Sequence, residues 1–332
     1  MSVAEEVLAV RRSAGIFRLA DRALLEVRGS DRVRFLQGQL SNDIAKLDPS
    51  GPDSGCYALA LTREGRVVAD FHVIARPDAF WLETDAAAAS AAIARLEKFV
   101  IADDVQIADR SAAFARFAVE GPRAPELVAT AAGAPLRVAP DGAVLAQIGG
   151  APAVVAAWGW SGEAALQILV PSEQAAAVEA ALRAAGDTCG AIVAGEAALE
   201  VLRVEAGEPR YGAELGAHTL PAELRLLDRA ISFTKGCYTG QEVVARMQSR
   251  GRVGHLLVGV ALGSDALPAP GAAIASGGVR VGELTSVACS PRTGAIALGF
   301  VRRGFDEPGT SLEVDGRVAR VVALPFVAPA SS

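Results

Sequence analysis

One thiol of this chain lies in a segment whose neighbours favour its reactive form. Cys237 stands inside residues 235–242, KGCYTGQE. Thr239 and Glu242 have the T-x-x-E spacing of a capping box, and an apolar run follows, so the pattern predicts a helix with Thr239 as its N-cap. The positive end of that helix dipole and the Lys235 ammonium would both favour a thiolate. A capped helix beside an inert, buried cysteine explains the residues equally well, and both interpretations stay open.

Several polar residues elsewhere could line a ligand site. Asp70 lies inside the predicted strand 67–71, where a carboxylate faces either solvent or a cavity. Glu205 follows the apolar run 199–204, and its plainer interpretation is a helix-end or surface glutamate. Asn42 could line a cleft, although capping of the next turn is the favoured interpretation. Arg246 is spaced i,i+4 from a glutamate, which predicts an intrahelical ion pair worth about 0.3–0.5 kcal/mol.

Three sequence blocks carry a resemblance to known families. Residues 235–242 match K-G-C-[FY]-x-G-Q-E and resemble the YgfZ-type folate-binding proteins, which act in iron–sulfur cluster assembly and repair. Residues 35–44, FLQGQLSNDI, resemble the F-L-Q-x-x-L-[ST]-N-D block of the glycine-cleavage T-protein superfamily, aminomethyltransferases that use tetrahydrofolate. Residues 203–207, RVEAG, resemble the R-[LI]-E-A-G block of the same superfamily, and the three blocks occur in its order.

The resemblance implies a function and an alternative to it. The first expectation is a tetrahydrofolate-binding protein that supports iron–sulfur cluster assembly or repair, with an indirect effect on tRNA modification and with iron–sulfur client or assembly proteins as partners. The alternative is a folate-dependent aminomethyltransferase or other one-carbon transferase. The aminomethyltransferases have an aspartate pair where this chain has Ala69-Asp70, and this departure argues against that alternative. A folate-binding module with an inert thiol is a third option.

The resemblance also assigns roles to residues. Glu205 would contact the pterin ring, as the glutamate of the E-A-G block does in the superfamily. Lys235 or Arg246 would contact the glutamate tail of folate. Asn42 and Asp70 complete the predicted cofactor-binding set. Cys237 would be the functional thiol of the same site.

Composition narrows the classes further. The net charge is −6 and the pI about 5.3, which argues against a broad nucleic-acid-binding surface. The four cysteines lack the close spacing of a zinc site or a resident iron–sulfur cluster, so no metal site is predicted. An acidic N-terminus without an apolar segment after it is not a secretory signal, and the alanine-rich stretches are too interrupted to cross a bilayer. These features predict a cytoplasmic protein.

Hydrophobic periodicity predicts an α+β fold with two domains. Residues 1–250 should form a body of two related, interleaved antiparallel-sheet halves, and residues 251–332 a C-terminal β-barrel, with a hinge at Ser249-Arg250-Gly251. The first half should contain a helix from Ser30 to Leu40, a strand meander over 56–84 and a helix capped by Asp85. The predicted elements of the second half are a strand over 113–119, a helix over 122–132 closed by Gly133, three strands, and a helix from Ser172 to Gly186. The predicted barrel strands are 255–262, 279–288, 295–302, 311–314 and 317–324.

Overall fold

The computed structural model describes residues 1–51, 54–250, 253–263 and 267–330. The helices are α1 (Val3–Arg12), α2 (Arg32–Gln39), α3 (Ala86–Glu97), α4 (Ala124–Ala132), α5 (Ala175–Cys189), α6 (Glu196–Ala206), α7 (Leu227–Ala230) and α8 (Gln241–Arg250). The strands of the body are β1 (Gly15–Leu19), β2 (Arg22–Arg28), β3 (Gly55–Leu61), β4 (Val67–Ala75), β5 (Phe80–Asp85), β6 (Gln106–Asp109), β7 (Phe114–Glu120), β8 (Ala143–Ile148), β9 (Ala151–Ala156), β10 (Ala165–Pro171) and β11 (Ile192–Val193). The barrel strands are β12 (His255–Leu262), β13 (Ala273–Ser276), β14 (Val279–Ser290), β15 (Gly294–Arg302), β16 (Ser311–Val314) and β17 (Arg317–Val322).

The body contains two sheets with the same succession of elements. One sheet has the order β3-β4-β5-β2-β6, and the other has the order β11-β1-β7-β10-β9-β8. The succession β2-α2-β3-β4-β5-α3-β6 recurs as β7-α4-β8-β9-β10-α5-β11. The prediction of two related sheet halves is therefore confirmed.

The two halves are interleaved by the first strand of the chain. β1 precedes the first half in sequence, yet it lies in the second sheet, where it pairs antiparallel with β7 and parallel with β11. The two sheets meet face to face across a mainly apolar layer. Leu24, Ile74 and Trp81 contribute to this layer from one sheet, and Val154 and Leu169 from the other.

The C-terminal region forms a closed barrel of six strands in the order β12-β15-β14-β13-β16-β17. Buried and exposed residues alternate in β16, where Leu312 and Val314 point into the barrel core. The sequence predicted a barrel with five of these strands and missed β13, which is only four residues long. Of the predicted hinge, Ser249 and Arg250 lie at the end of α8, and Gly251 lies outside the described residues.

Local sequence signals were right at some helix ends and wrong at others. The Asp85 side chain accepts a hydrogen bond from the Ala87 amide and caps α3 as predicted. Gly133 ends α4 in the left-handed conformation, with φ of 67°. Ser30 is not a helix cap, because its hydroxyl and amide bind the Asp104 carboxylate instead.

The predicted end of α5 was wrong. This helix continues through Gly186 and ends at Gly190, which has φ of 72°. Gly186 is instead a packing position, since a Cβ there would approach Ile16 to 3.3 Å. In the part of the chain that the structure describes, no helix is long and apolar enough to cross a membrane.

Candidate functional site

Polar and aromatic side chains gather in the layer between the two sheets. We call Tyr57, Asp70, His72, Trp158 and Arg229 the central cluster. β4 places Asp70 and His72 two residues apart and therefore on the same face, and the strand pairing sets Tyr57 of β3 opposite His72. Trp158 follows β9 of the second sheet, and Arg229 belongs to α7. Strand alternation and sheet stacking thus bring together residues that lie far apart in sequence.

Asp70 is the carboxylate at the centre of this cluster. The Tyr57 hydroxyl donates to Oδ2 of Asp70 over 3.1 Å. Oδ1 is buried and has no hydrogen-bond partner among the described residues, and the residue is 8% exposed. Burial raises the pKa of Asp70 above its ordinary value, although the nearby Arg22 charge opposes that shift. The site therefore holds an acceptor that can also take up a proton.

An aromatic wall stands beside this carboxylate. The rings of His72 and Trp158 are stacked, with centroids 3.6 Å apart and planes 6° apart. Tyr57 lies on His72 at 4.9 Å between centroids. Burial lowers the pKa of His72 well below its ordinary value, so the imidazole is neutral at physiological pH. Nδ1 of His72 and Nε1 of Trp158 are buried without hydrogen-bond partners in the described structure.

Arg229 closes the cluster on the other side of Tyr57. Its guanidinium carbon lies 4.6 Å from the centre of the Tyr57 ring, a cation–π contact. The same guanidinium pairs with Asp141 and with Glu208, each at 3.3 Å. Burial raises the pKa of Glu208 despite this pairing.

A cleft adjoins the central cluster through Arg22. Arg22 forms a buried bidentate pair with Glu83, with both hydrogen bonds at 2.6 Å. Its guanidinium carbon lies 5.6 Å from the Trp158 ring and 5.3 Å from the Trp160 ring. The cleft has a cavity volume of about 40 Å³, well below the range of small-molecule sites, so it is a narrow groove in this structure. Its lining combines apolar, acidic and basic side chains: Leu19, Asp21, Arg22, Asp85, Trp160, Glu196, Leu199, Glu200, Arg203 and Arg210.

The structure places Glu205 away from the central cluster. Arg11 donates to its Oε2 from Nε over 3.1 Å and from Nη2 over 2.8 Å. The Ser290 hydroxyl donates to Oε1 over 2.5 Å, and Glu205 has no exposed surface. Both carboxylate oxygens are therefore engaged within the protein. A pterin could bind Glu205 only by displacing one of these partners, so the expected pterin contact gains no support from this arrangement.

Asn42 and Lys235 lie together in a backbone-binding arrangement. The Asn42 amide donates to the carbonyl oxygens of Tyr57 and Arg229 over 2.8 and 3.2 Å. Lys235 Nζ donates to the carbonyl oxygens of Gln37, Leu40 and Asn42 over 2.6, 2.7 and 2.8 Å. The Lys235 ammonium thus donates its three N–H groups to main-chain carbonyls. Asn42 borders the central cluster through the two main chains that it holds.

The thiol segment differs from its sequence prediction at the start of the helix. α8 begins at Gln241, and the Val244 amide donates to the Gly240 carbonyl, so Gly240 rather than Thr239 precedes the first helical residue. Cys237 is exposed and lies four residues before the helix. Arg246 is exposed on α8. Neither residue belongs to the central cluster, and their proposed contacts with folate stay predictions.

Of the central cluster, only Asp70 was predicted from the sequence as a site residue, and the other members were not predicted. Tyr57 and His72 share a face with Asp70 by strand alternation, and that signal was available in the predicted meander. Trp158 comes from the other sheet and Arg229 from a short helix, and neither has a local signal that points to the cluster. Their convergence depends on how the two sheets stack, which the sequence pattern does not specify.

Comparison with known proteins supports one superfamily along nearly the whole chain. A family model described as the GCVT N-terminal domain matches residues 1–235, and one described as the glycine cleavage T-protein C-terminal barrel domain matches residues 256–328. A protein of Symbiobacterium thermophilum named aminomethyltransferase is 34% identical, with 98% of this chain and 89% of that protein covered. An aminomethyltransferase of Streptomyces coelicolor is 31% identical, with coverages of 97% and 88%.

A solved structure agrees with these relatives. The crystal structure of glycine cleavage system aminomethyltransferase T from Bartonella henselae has a TM-score of 0.87 and 25% identity, and covers 99% of this chain and 90% of that one. These names contradict the iron–sulfur assembly function that residues 235–242 suggested, and they support the alternative that was weighed against it. The two family models match both the body and the barrel formed by β12 to β17. The chain therefore belongs to the glycine-cleavage T-protein superfamily.

Proposed function

We propose that this chain is a folate-dependent one-carbon transferase of the aminomethyltransferase type, with Asp70 at its reacting centre. The observation that carries the proposal is the state of the Asp70 carboxylate. Tyr57 holds one of its oxygens, and the other is buried without a partner in the described part of the chain. Buried acceptors are nearly always satisfied by protein, water or ligand, so Oδ1 is the expected position for a ligand N–H group or a transferred proton.

The surroundings of Asp70 suit a reduced folate. A pterin ring presents adjacent N–H donors, and a carboxylate is an acceptor that matches them. The flat Trp158–His72 stack gives an aromatic surface beside that acceptor. When bound, tetrahydrofolate supplies the two nitrogens, one in the pterin ring and one beside it, that take up the one-carbon unit.

The proposed reaction transfers a carbon and releases an amine. With an S-aminomethyl thiol as donor, the C–S and C–N bonds of the donor break and two new C–N bonds join that carbon to folate. The two hydrogens lost by the folate nitrogens end on the released thiol and on ammonia. Asp70 can hold and return a proton because burial raises its pKa, and Tyr57 fixes the orientation of its carboxylate.

Ala69, the residue before Asp70, bears on the aminomethyltransferase alternative, against which the sequence argued. Ala69 is fully buried in the apolar core between the first sheet and its helices, on the face opposite to Asp70. An aspartate at position 69 would point away from the central cluster if the strand kept this register. The absence of an aspartate pair therefore removes no side chain from the cluster, and it does not argue against aminomethyl transfer as it did in sequence.

The test is turnover with tetrahydrofolate and an S-aminomethyl thiol, with methylenetetrahydrofolate and ammonia measured together. We expect turnover by the natural protein and a loss of about 10²- to 10⁴-fold in Asp70→Asn, the range for removal of a general acid or base. Asp78→Asn is the matched control, because Asp78 is exposed and pairs with Arg28 at the surface. Folate binding without turnover would contradict the transferase. No binding at millimolar folate would contradict a folate site altogether.

A further inference from the structure

We propose that Lys235 is a positioning residue of the central site. Lys235 binds the main chain of the segment 37–42. Within that segment, the side chain of Asn42 binds the main chains of Tyr57 and Arg229 in the central cluster. This inference rests on the proposed function, because the site that Lys235 positions is the proposed folate site. It gives the lysine of residues 235–242 a role other than a contact with folate or with the thiol.

The first step of the argument is the geometry at the Lys235 ammonium. α2 ends at Gln39, and the last carbonyls of a helix have no partner within it. Lys235 binds Gln37 in the last turn, Leu40 directly after it and Asn42 beyond, all within 2.8 Å. Three converging carbonyls match the three N–H donors of an ammonium group. Lys235 is 8% exposed, so water has little access to replace these bonds.

We call the Lys235 ammonium and its three carbonyl partners the clamp. The second step links the clamp to the central cluster. Asn42 is bound by Lys235 through its carbonyl, while its side-chain amide reaches Tyr57 and Arg229. Ser41 adds to the same connection, since its hydroxyl donates to the Ala230 carbonyl over 2.6 Å. A shift of the 37–42 segment would move Tyr57, which binds Asp70, and Arg229, which packs on the Tyr57 ring. Displacements well below the size of a side chain are enough to alter binding at a packed site.

The third step concerns the choice of residue. The chain has 32 lysines and arginines, and only Lys46, Lys98 and Lys235 are lysines. Arginine is thus the default cation of this protein. A planar guanidinium cannot aim three N–H groups at carbonyls arranged around one point, whereas a compact ammonium can. The use of lysine at position 235 is therefore explained by the carbonyl arrangement.

The clamp is also expected to respond to pH. Burial lowers the pKa of Lys235 to about 8, against the opposing charge of Asp43 after α2, and the Cys56 thiol on β3 also faces the ammonium. The Tyr238 ring, 5.1 Å from Nζ, also faces the ammonium, and burial raises the pKa of Tyr238 to about 12. Above pH 8 the amine has one N–H donor fewer than the ammonium. One of the three carbonyls then loses its donor.

The experiment is calorimetry of tetrahydrofolate binding to the full chain and its variants. Lys235→Met should raise the Kd about 3- to 30-fold, the range for a residue that acts on a site without touching the ligand. Lys46→Met is the matched control, because Lys46 is 72% exposed and its ammonium forms an ion pair with Asp43. Its Kd should equal that of the natural protein. Lys235→Arg should lie between the two.

A merely structural role is separated from positioning by a double-mutant cycle. If Lys235 acts through Asn42, then adding Lys235→Met to Asn42→Ala should weaken binding less than it does alone. In addition, the natural protein should lose affinity as pH rises through about 8, and Lys235→Arg should lack that step. The titration of folate itself is common to both proteins and cancels in their ratio.

The outcomes distinguish this inference from the proposed function. A natural protein that binds no folate overturns the proposed function. A natural protein that binds folate overturns the role of Lys235 if Lys235→Met binds equally well or if the two substitutions are additive. Should Lys235→Met fail to fold, the pH profiles of the natural protein and Lys235→Arg decide, and identical profiles through pH 8 would reject the clamp.

Discussion

Arg11 and Glu205 form a buried ion pair across 194 residues of sequence, with Nη2 of Arg11 2.8 Å from Oε2 of Glu205. The pair joins α1 to α6, and Ser290 extends it to the barrel strand β14. The Glu205 carbonyl also accepts a hydrogen bond from Phe326, which follows the barrel. Glu205 therefore connects three parts of the chain, and we expect its substitution to lower the stability of the protein.

Glu205→Ala should lower the free energy of unfolding by about 1–3 kcal/mol, because two buried N–H groups of Arg11 lose their acceptor while the Arg11 charge keeps its ion pair with Glu163. Urea unfolding followed by circular dichroism measures this change. Glu126→Ala is the matched control, since Glu126 pairs with Arg123 on the exposed side of α4 and should cost about 0.5 kcal/mol or less. Equal effects of the two substitutions would show that the buried pair has no special weight.

Asp70→Asn should stabilise the protein at neutral pH while it removes the proposed activity. Burial raises the pKa of Asp70, so the folded state binds a proton more readily than the unfolded state. The contribution of Asp70 to stability therefore falls as pH rises from about 4 through the raised pKa. The advantage of Asp70→Asn over the natural protein should grow across that window. Urea unfolding from pH 4 to 8 tests this, and a stability difference that shrinks with rising pH would contradict it.

The two glycines of residues 235–242 should differ sharply in their tolerance to substitution. Gly240 has φ of 87°, and a Cβ there would lie 2.6 Å from the Thr62 carbonyl oxygen in the β3–β4 turn. Gly240→Ala should therefore cost about 2 kcal/mol or more. Gly236→Ala is the control, because a Cβ at that position meets no atom within 4 Å. Thermal unfolding measures both, and similar midpoints would refute the steric account.

The four thiols should separate into two classes in iodoacetamide labelling with mass-spectrometric assignment. Cys237 and Cys289 are exposed, whereas Cys189 is buried and burial raises the pKa of Cys56 to about 12. We expect Cys237 to label faster than Cys56 and Cys189. Thr239→Ala should leave that rate unchanged, because Gly240 rather than Thr239 precedes the first residue of α8. Faster labelling of Cys56 or Cys189 would contradict this order.

Local signals accounted for much of the fold. Asp85 and Gly133 lie at helix ends that depend on adjacent residues only, and both were predicted. Gly186 misled the prediction because its use depends on packing against Ile16 from another element. The N-terminal helix was also missed, although the Ser2 and Glu5 side chains form a capping box. Its acidic first turn was considered only as an argument against a secretory signal.

The candidate site was less accessible from sequence than the fold. Asp70 was expected within a strand and lies in β4, while its role in a site stays a prediction. The side-chain partners of Glu205 lie 85 and 194 residues away and those of Lys235 lie 193–198 residues away, so nothing near either residue indicated them. Both residues were assigned to ligand by resemblance, and in the structure both bind the protein itself.

The position of β1 has a consequence for synthesis of the chain. Gly15, Ile16 and Phe17 are synthesised before the rest of the body, yet their strand partners are residues 118–120 and 192–193. Until those residues are made, the apolar segment that will form β1 has unpaired backbone groups and can associate with other chains. The first half of the body is therefore not an autonomous folding unit that can retain β1. A nascent chain that stalls before residue 114 should depend on chaperones, and a gene truncated there should yield aggregate rather than half a protein.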